Sequence, residues 1–318
     1  MKKVLITGVS GMVGSTLADR LSEIGDYEIH GTDRGNENDA FPENLNNIKD
    51  KIVIHRFDMK DAEAVDKVIA DVKPDQIFHL AAAFSNPDMT EWEVIHNNVL
   101  GQINLLEAVK NNQVESRVLV VGSSVVYGDG NVGGITDETS ELKPKSLYAI
   151  SKVGQDLVGY KYFAADGIDI VRVRPFNHAG ARRGPSFVES AFARQIIAIE
   201  RSNEKEGEIK VGNLSPTRDW LDVRDVVEAY IELMKSGASG EVYNVCSGQS
   251  RSVQNLLDTL IELSGVNVKV VVDESLVRKN DDPGMSTSNE KLVKDTSWKQ
   301  KYTFEDMCQS ILDYWRKN

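Results

Sequence analysis

Short β-branched runs alternate with longer stretches of helical period over the first two thirds of the chain, the pattern of a parallel sheet wrapped by helices. Strands are expected over residues 3–7, 28–32, 52–56, 76–80, 117–122 and 169–174. Several are apolar at nearly every position, as in Val118-Leu119-Val120-Val121, which suits strands covered on both faces. Helices are expected over 12–24, 61–72, 90–111 and 148–166, the second capped by Asp61. After Arg174 the texture changes: Pro175, Gly180, Gly184 and Pro185 crowd one loop, and short elements follow without the earlier regularity. The expected fold class is α/β: a doubly wound parallel sheet in residues 1–174 with part of 215–246, and a smaller, interleaved α/β lobe, made mainly of 175–318, for substrate.

Composition narrows this picture by exclusion. At 318 residues the chain can bury a sizeable core without staples, and its two cysteines, Cys246 and Cys308, form neither a disulfide framework nor a cysteine zinc site. No metal site is expected, and a reducing, cytoplasmic compartment fits best. Lys2-Lys3 precede an apolar stretch that Gly8, Ser10 and Gly11 interrupt before it could be a signal-peptide core, and no later run approaches a membrane span. The net charge of -12 argues against nucleic acid as a partner, because polyanion binding draws on many Lys and Arg. An anionic ligand would have to be met locally, by arginines of the C-terminal half. There is no repeat, low-complexity tract or long charge run, and residues 201–208 read as a solvated helix end or loop.

The sharpest local signal is Gly8-Val9-Ser10-Gly11-Met12-Val13-Gly14, between the first strand and the first helix, where backbone amides and the helix dipole can receive a pyrophosphate. A glycine trio alone marks only a tight turn; its place directly after an apolar N-terminal strand turns it into a Rossmann dinucleotide site. Asp33, just beyond the second strand, can accept from the adenosine ribose hydroxyls and disfavours a 2′-phosphate, whereas its neighbour Arg34 can pair with that phosphate. NAD(H) is favoured and NADP(H) stays open. Asp58-Met59 can hold the adenine, and Leu80-Ala81-Ala82 after His79 are small enough to let a ligand lie close, although the alanines serve equally as helix–sheet packing.

Chemistry is suggested by Tyr148 and Lys152, one helical turn apart and therefore on one helix face. A tyrosine of ordinary pKa near 10 is a poor acid–base group at neutral pH, and a nearby ammonium favours its phenolate. Such a pair recurs by chance as a surface feature, but Ser123, in Gly122-Ser123-Ser124-Val125-Val126-Tyr127-Gly128 at the end of the fifth strand, adds a hydroxyl for a carbonyl oxygen.

The glycine loop, His79-Leu80-Ala81-Ala82, Asn98, Ser123, Tyr148 and Lys152 together resemble the extended short-chain dehydrogenase/reductase family of nucleotide-sugar enzymes. Within it the chain is most similar to the branch of GDP-mannose 4,6-dehydratases and GDP-4-keto-6-deoxy-mannose reductases, through Arg174-Pro175-Phe176-Asn177-His178, Phe187-Val188, Val211-Gly212-Asn213-Leu214, Arg218-Asp219 and Val242-Tyr243-Asn244-Val245-Cys246-Ser247-Gly248. The resemblance implies that Ser123 and Tyr148 hold the sugar oxygen at carbon 4, that Tyr148 donates or accepts the proton, and that Lys152 orients the nicotinamide ribose. It implies that Asn98 orders the site, and that the partners are a GDP-hexose and a second copy of the chain. The dimer contact would run through 90–111 and 148–166, with Leu105, Leu106, Leu157 and Val158 as candidates for core or interface. Substrate contacts are expected from Ser85, Ser124, Asn177, Val188, Arg194, Asn213, Arg218 and Arg278, since a nucleoside diphosphate needs fixed cations and amide donors.

Which reaction the branch position implies turns on a few residues. Elimination of water needs an acid and a base besides the tyrosine, and the family's dehydratases keep a Glu two residues after the catalytic Ser or Thr. Here Ser124 and Val125 stand there, and valine transfers no proton. Fucose-forming epimerase-reductases use a Cys and a His, but no cysteine falls in the expected segments, and His178 reads as structural rather than as a substrate contact. The expected activity is NAD(P)H-dependent reduction of a GDP-4-keto-6-deoxy-hexose. The alternatives are a 4-epimerase, a GDP-mannose 4,6-dehydratase and, remotely, a non-enzymatic dinucleotide-binding protein. One departure points the other way: where the reductases read Gly-Pro-Gly-Gln, this chain has Gly180-Ala181-Arg182-Arg183-Gly184, closer to the dehydratase loop. Arg182 and Arg183 could meet phosphate, a second subunit or water.

Overall fold

The continuous apolar runs become strands shielded on both faces, and their order follows from right-handed crossovers through the intervening helices. In the computed structural model, which describes residues 1–36, 38–84, 89–131, 133–202, 206–277 and 284–318, the chain runs β1 (Lys2–Thr7), α1 (Met12–Ile24), β2 (Tyr27–Asp33), β3 (Ile52–Arg56), α2 (Ala62–Val72), β4 (Gln76–His79), α3 (Glu91–Ile95), α4 (Gly101–Asn111), β5 (Arg117–Val121), β6 (Ile135–Thr136), α5 (Leu147–Asp166) and β7 (Asp169–Pro175). There follow β8 (Asn177–Ala179), α6 (Val188–Ser202), β9 (Gly207–Val211), β10 (Thr217–Asp222), α7 (Val223–Ser236), β11 (Val242–Val245), β12 (Ser250–Ser252), α8 (Val253–Ser264), β13 (Val268–Val272), β14 (Ser286–Thr287), α9 (Glu290–Asp295) and α10 (Phe304–Lys317).

Seven strands form one all-parallel sheet in the order β11-β7-β5-β4-β1-β2-β3. The order reverses between β1 and β4, so the loops leaving their carboxyl ends diverge and open a crevice, the switch point of a Rossmann sheet. Leu17 and Leu21 of α1 and Val226 and Tyr230 of α7 cover one face; Val65 and Ile69 of α2 and Leu105 and Leu106 of α4 cover the other. Leu105 and Leu106 are thus monomer core, whereas Leu157 on α5 is 54% exposed. The remaining strands make small sheets, β12-β10-β8, β13-β9 and β14-β6, and the first two share a core with α6, α8 and α10. No described helix is long and apolar enough to cross a membrane.

Two features differ from the helical and strand pattern. Residues 90–111 are not one helix: α3 and α4 flank a π-turn over His96–Leu100, in which buried Asn98 turns inward, accepts from Ala83 N–H at 2.6 Å and donates to Ala83 O at 3.0 Å and Ser151 Oγ at 2.9 Å. A widened turn is the backbone's way of accommodating that inward amide. The second feature is β11, a seventh strand of four residues carrying a buried Asn244, too short and too polar to stand out as a sheet strand.

A buried ionic cluster ties α5 to the sheet. Arg172 and Arg174 alternate on β7 and so share a face; Asp156, one turn beyond Lys152 on α5, meets Arg172 Nη1 at 2.5 Å and Arg174 Nε at 2.7 Å with its side chain 1% exposed. Arg174 Nη1 also donates to the Tyr127 hydroxyl at 2.8 Å, which donates to Asn244 Oδ1 at 2.7 Å.

Candidate active site

The turn from β1 into α1 needs glycine for steric reasons at two places. Gly8 adopts φ 67°, and a Cβ there would stand 3.0 Å from Ala81 Cα; a Cβ on Gly14 would lie 2.5 Å from Gly8 O. A Cβ on Gly11 would make only ordinary contact, 3.4 Å from Gly8 O. The first N–H groups of α1, those of Met12 and Val13 among them, have no intrahelical acceptor. Met12 itself is buried, and the Val13 side chain packs on the main core, so their part here is played by the backbone. A cleft of about 270 Å³ runs from Gly8, Ser10 and Gly11 past Asp33 and Arg34 to Asp58 and Met59 on one side and Leu80, Ala81 and Ala82 on the other. This is a cradle that added side chains would fill, and it fits an extended dinucleotide. Asp33 accepts from Ser10 Oγ at 2.6 Å, which aims its carboxylate at the loop, while Arg34 is exposed.

At the floor of the cleft Thr7 Oγ1 accepts from Ala81 N–H at 3.0 Å and lies 2.9 Å from His79 Nδ1. Burial, helped by the charge of Lys152, lowers the His79 pKa to about 3, so the ring is neutral. Asn98 does not line the cleft; its amide is spent on Ala83 and Ser151, and it acts on the site by holding the β4 loop to α5.

Ser123 caps the short turn Ser124–Tyr127 and its Oγ accepts from Val125 N–H at 3.4 Å. Tyr148 lies in the first turn of α5, beside Ser123. Burial pushes the Tyr148 pKa up to about 12, opposed by the positive charge of Arg183 and by the neighbouring Ser123 hydroxyl. Tyr148 is therefore a protonated acid at neutral pH. Lys152 is 3% exposed, with Nζ donating to Val121 O at 3.1 Å and Gln155 Oε1 at 2.8 Å, and burial pulls its pKa down to about 7. Its Nζ stands 6.0 Å from the Tyr148 ring centroid. Arg183 is thus a cation that opposes the burial of the tyrosine, and the Lys152 ammonium stands over the same ring, on the helix face that the one-turn spacing implies.

The sequence pattern left Arg183 undecided between ligand, subunit and water, because a charge in a Gly-Pro-flanked loop carries no periodic signal. Its guanidinium lies 3.5 Å from the Phe187 ring centroid, and burial lowers its pKa. Arg182 adopts φ 70°, unfavourable for a side chain with Cβ, and is held there by a 2.7 Å ion pair to Asp19 on α1. His178 bonds Phe176 O through Nδ1 at 2.8 Å; burial and then Arg183 lower its pKa to about 4, so it too is neutral.

A second, larger cleft of about 1290 Å³ brings together Ser124, Val125, Asn177 and Arg218 between the two lobes. Other expected substrate residues lie outside its lining: Val188 packs on the core of the second lobe, exposed Arg194 stacks on Trp315 at 5.3 Å, and exposed Asn213 accepts from Ser215 N–H at 3.0 Å. Ser85 and Arg278 lie outside the described residues. Two carboxylates line this cleft among the described residues. Asp219 is buried and accepts from Ser247 N and Oγ, Gly248 N and Thr287 Oγ1, and Asp129 is ion-paired with Lys145.

Comparison with known proteins adds an independent line. The family described as GDP-mannose 4,6 dehydratase matches residues 5–311. The GDP-6-deoxy-D-mannose reductase of Pseudomonas aeruginosa is 30% identical over 270 residues, covering 83% of this chain and 87% of that protein. GDP-mannose 4,6 dehydratase 2 of Arabidopsis thaliana is 30% identical over 98% of this chain and 86% of its own length. Among solved structures, RMD from Pseudomonas aeruginosa complexed with NADPH superposes with a TM-score of 0.83 at 27% identity, covering 100% of both chains.

Burial disfavours the ammonium of Lys152, so in the ligand-free protein one lysine should lose its proton near pH 7 rather than near the ordinary value of about 10.4. Carbon-13 NMR of methylated lysines should show one such signal, missing in Lys152→Met. A Lys152 signal that titrates with the surface lysines would contradict this.

Proposed function

From its membership of the GDP-mannose 4,6 dehydratase family, we propose that this chain is a nicotinamide-dependent nucleotide-sugar oxidoreductase that reduces the 4-keto group of a GDP-4-keto-6-deoxy-hexose. The observation that carries the choice of reaction is Val125. It is 38% exposed in the cleft, two residues beyond Ser123, where removal of water across carbons 5 and 6 would need a proton-transferring group. The two described carboxylates nearby are committed, Asp219 to four hydrogen bonds and Asp129 to Lys145. Reduction needs neither.

In this reading the dinucleotide supplies the hydride when bound. Gly8, Ser10 and Gly11 with the first amides of α1 hold its pyrophosphate, Asp33 the adenosine ribose, Asp58 and Met59 the adenine, and Leu80 to Ala82 flank it. Lys152, fixed by Val121 O and Gln155, orients the nicotinamide ribose. Tyr148 gives its proton to the oxygen on carbon 4 while Ser123 donates a hydrogen bond to it. The phenolate left behind is stabilised by Arg183, whose charge already opposes the burial of Tyr148. Residues 1–174 with α7 and β11 serve the cofactor, and the rest serves the sugar nucleotide. We place the reaction in the cytoplasm, in accord with two buried, unpaired cysteines; cell fractionation checks this.

The competing reading is dehydration, favoured by the Arg182-Arg183-Gly184 loop and by the dehydratase that aligns over 98% of the chain. A paired assay decides. The enzyme should consume reduced dinucleotide with GDP-4-keto-6-deoxy-mannose and leave GDP-mannose unchanged; accumulation of a 4-keto-6-deoxy product from GDP-mannose would sink the reductase reading. Tyr148→Phe should lower turnover by about a hundred- to ten-thousand-fold and leave dinucleotide affinity nearly intact.

NADH is proposed as the preferred donor, because a 2′-phosphate would be set beside the Asp33 carboxylate. The NADPH in the RMD structure makes exposed Arg34 the competing determinant. A several-fold higher kcat/KM with NADPH would show that Arg34 decides.

We also propose a homodimer through α5. Ile150, Leu157 and Tyr160 are 45%, 54% and 49% exposed and recur at helical spacing on its outer face. Leu157→Asp should shift the protein to monomer in sedimentation; a wild-type monomer at micromolar concentration would remove the claim.

A further inference from the structure

Phe84 has an unusual place for a large apolar side chain. It follows β4 on the loop beside the dinucleotide cleft, and it is 53% exposed although two other rings touch it. Its ring meets Tyr148 edge-on, with centroids 5.5 Å apart and planes at 72°, and meets Phe187 at 5.5 Å and 44°. Phe187 lies just before α6 in the other lobe and is backed by the Arg183 guanidinium at 3.5 Å. A ring from each lobe therefore builds an apolar wall beside the proposed proton donor.

Such a wall can take one kind of substituent. A hydroxyl set against it gives up water and finds no partner, whereas a methyl loses nothing and covers the exposed ring. With the oxygen on carbon 4 at Tyr148, the flanking carbons of a 6-deoxy-hexose carry a hydroxyl on carbon 3 and a methyl on carbon 5. The methyl is the one apolar substituent next to the reacting carbon. We infer that Phe84, supported by Phe187, is a specificity-determining residue that takes the C6 methyl of the sugar and discriminates against the 6-hydroxyl counterpart. This rests on the reductase reading and adds to it the residue that reads carbon 6.

The test uses the reverse direction, oxidation at carbon 4 by NAD⁺ or NADP⁺, of a GDP-6-deoxy-hexose and the GDP-hexose that differs from it only by the 6-hydroxyl. The wild type should favour the deoxy sugar by about 10–200-fold in kcat/KM. Phe84→Ser should cut that ratio by about tenfold or more, chiefly through KM, and Phe84→Leu should largely keep it; thermal melts of both variants report folding. A wild-type ratio near one, or a ratio that Phe84→Ser leaves in place, overturns the role of Phe84 while the reductase reading stands. Failure of the wild type to oxidise either sugar overturns the reductase reading and this inference together.

Discussion

Asp156 has a guanidinium against each carboxylate oxygen and almost no water, and a carboxylate so placed holds its partners in position because losing either leaves a buried charge uncompensated. Breaking a buried pair of this kind typically costs about 3–5 kcal/mol. The consequence is positional. Asp156 lies on α5 one turn beyond Lys152 and two beyond Tyr148, so pinning it to Arg172 and Arg174 fixes the height of both over β7. Arg174 also reaches Tyr127, at the end of the turn that Ser123 caps. The same cluster thus fixes the serine and tyrosine hydroxyls relative to each other, and Asn244, through Tyr127, ties β11 to them.

On that frame the site's electrostatics are assembled from both lobes. The cofactor lobe supplies an acid that burial keeps protonated and a lysine that burial holds near the point of losing its charge. The substrate lobe supplies Arg183, whose charge opposes the burial of Tyr148, and its loop is held against α1 by the Arg182–Asp19 pair. The Asp19 pair therefore couples the helix that opens at the pyrophosphate cradle to the cation beside the proton donor. His79 and His178, both kept neutral by burial, contribute no competing charge.

The elements legible in the sequence are those whose signal is local. An apolar strand, three glycines and a helix write their own geometry, because positive φ at Gly8 and the close approach at Gly14 are backbone requirements. Tyr148 and Lys152 share a face through helix period alone, though the period could not tell that Lys152 bonds a carbonyl of β5 or that Arg183 brings a further charge to the tyrosine. Arg183 and Phe84 sit on irregular loops, where only the packing of one lobe on the other determines what they touch. The π-turn at Asn98 escaped for a related reason: its inward amide bonds Ala83 and Ser151, both outside its own helix. Leu105 and Leu157 read alike as apolar helix positions and separate into core and surface only once the sheet beneath them is known.

The central claim is that Tyr148 passes one proton to carbon 4's oxygen and that nothing in the cleft exchanges protons on the neighbouring carbons. Running the reduction of a GDP-4-keto-6-deoxy-hexose in deuterium oxide with protiated NADH, and reading the product by proton NMR, tests it most directly. The account predicts protium at carbons 3, 4 and 5. Solvent deuterium at carbon 3 or carbon 5, beyond that in an enzyme-free control, would contradict it.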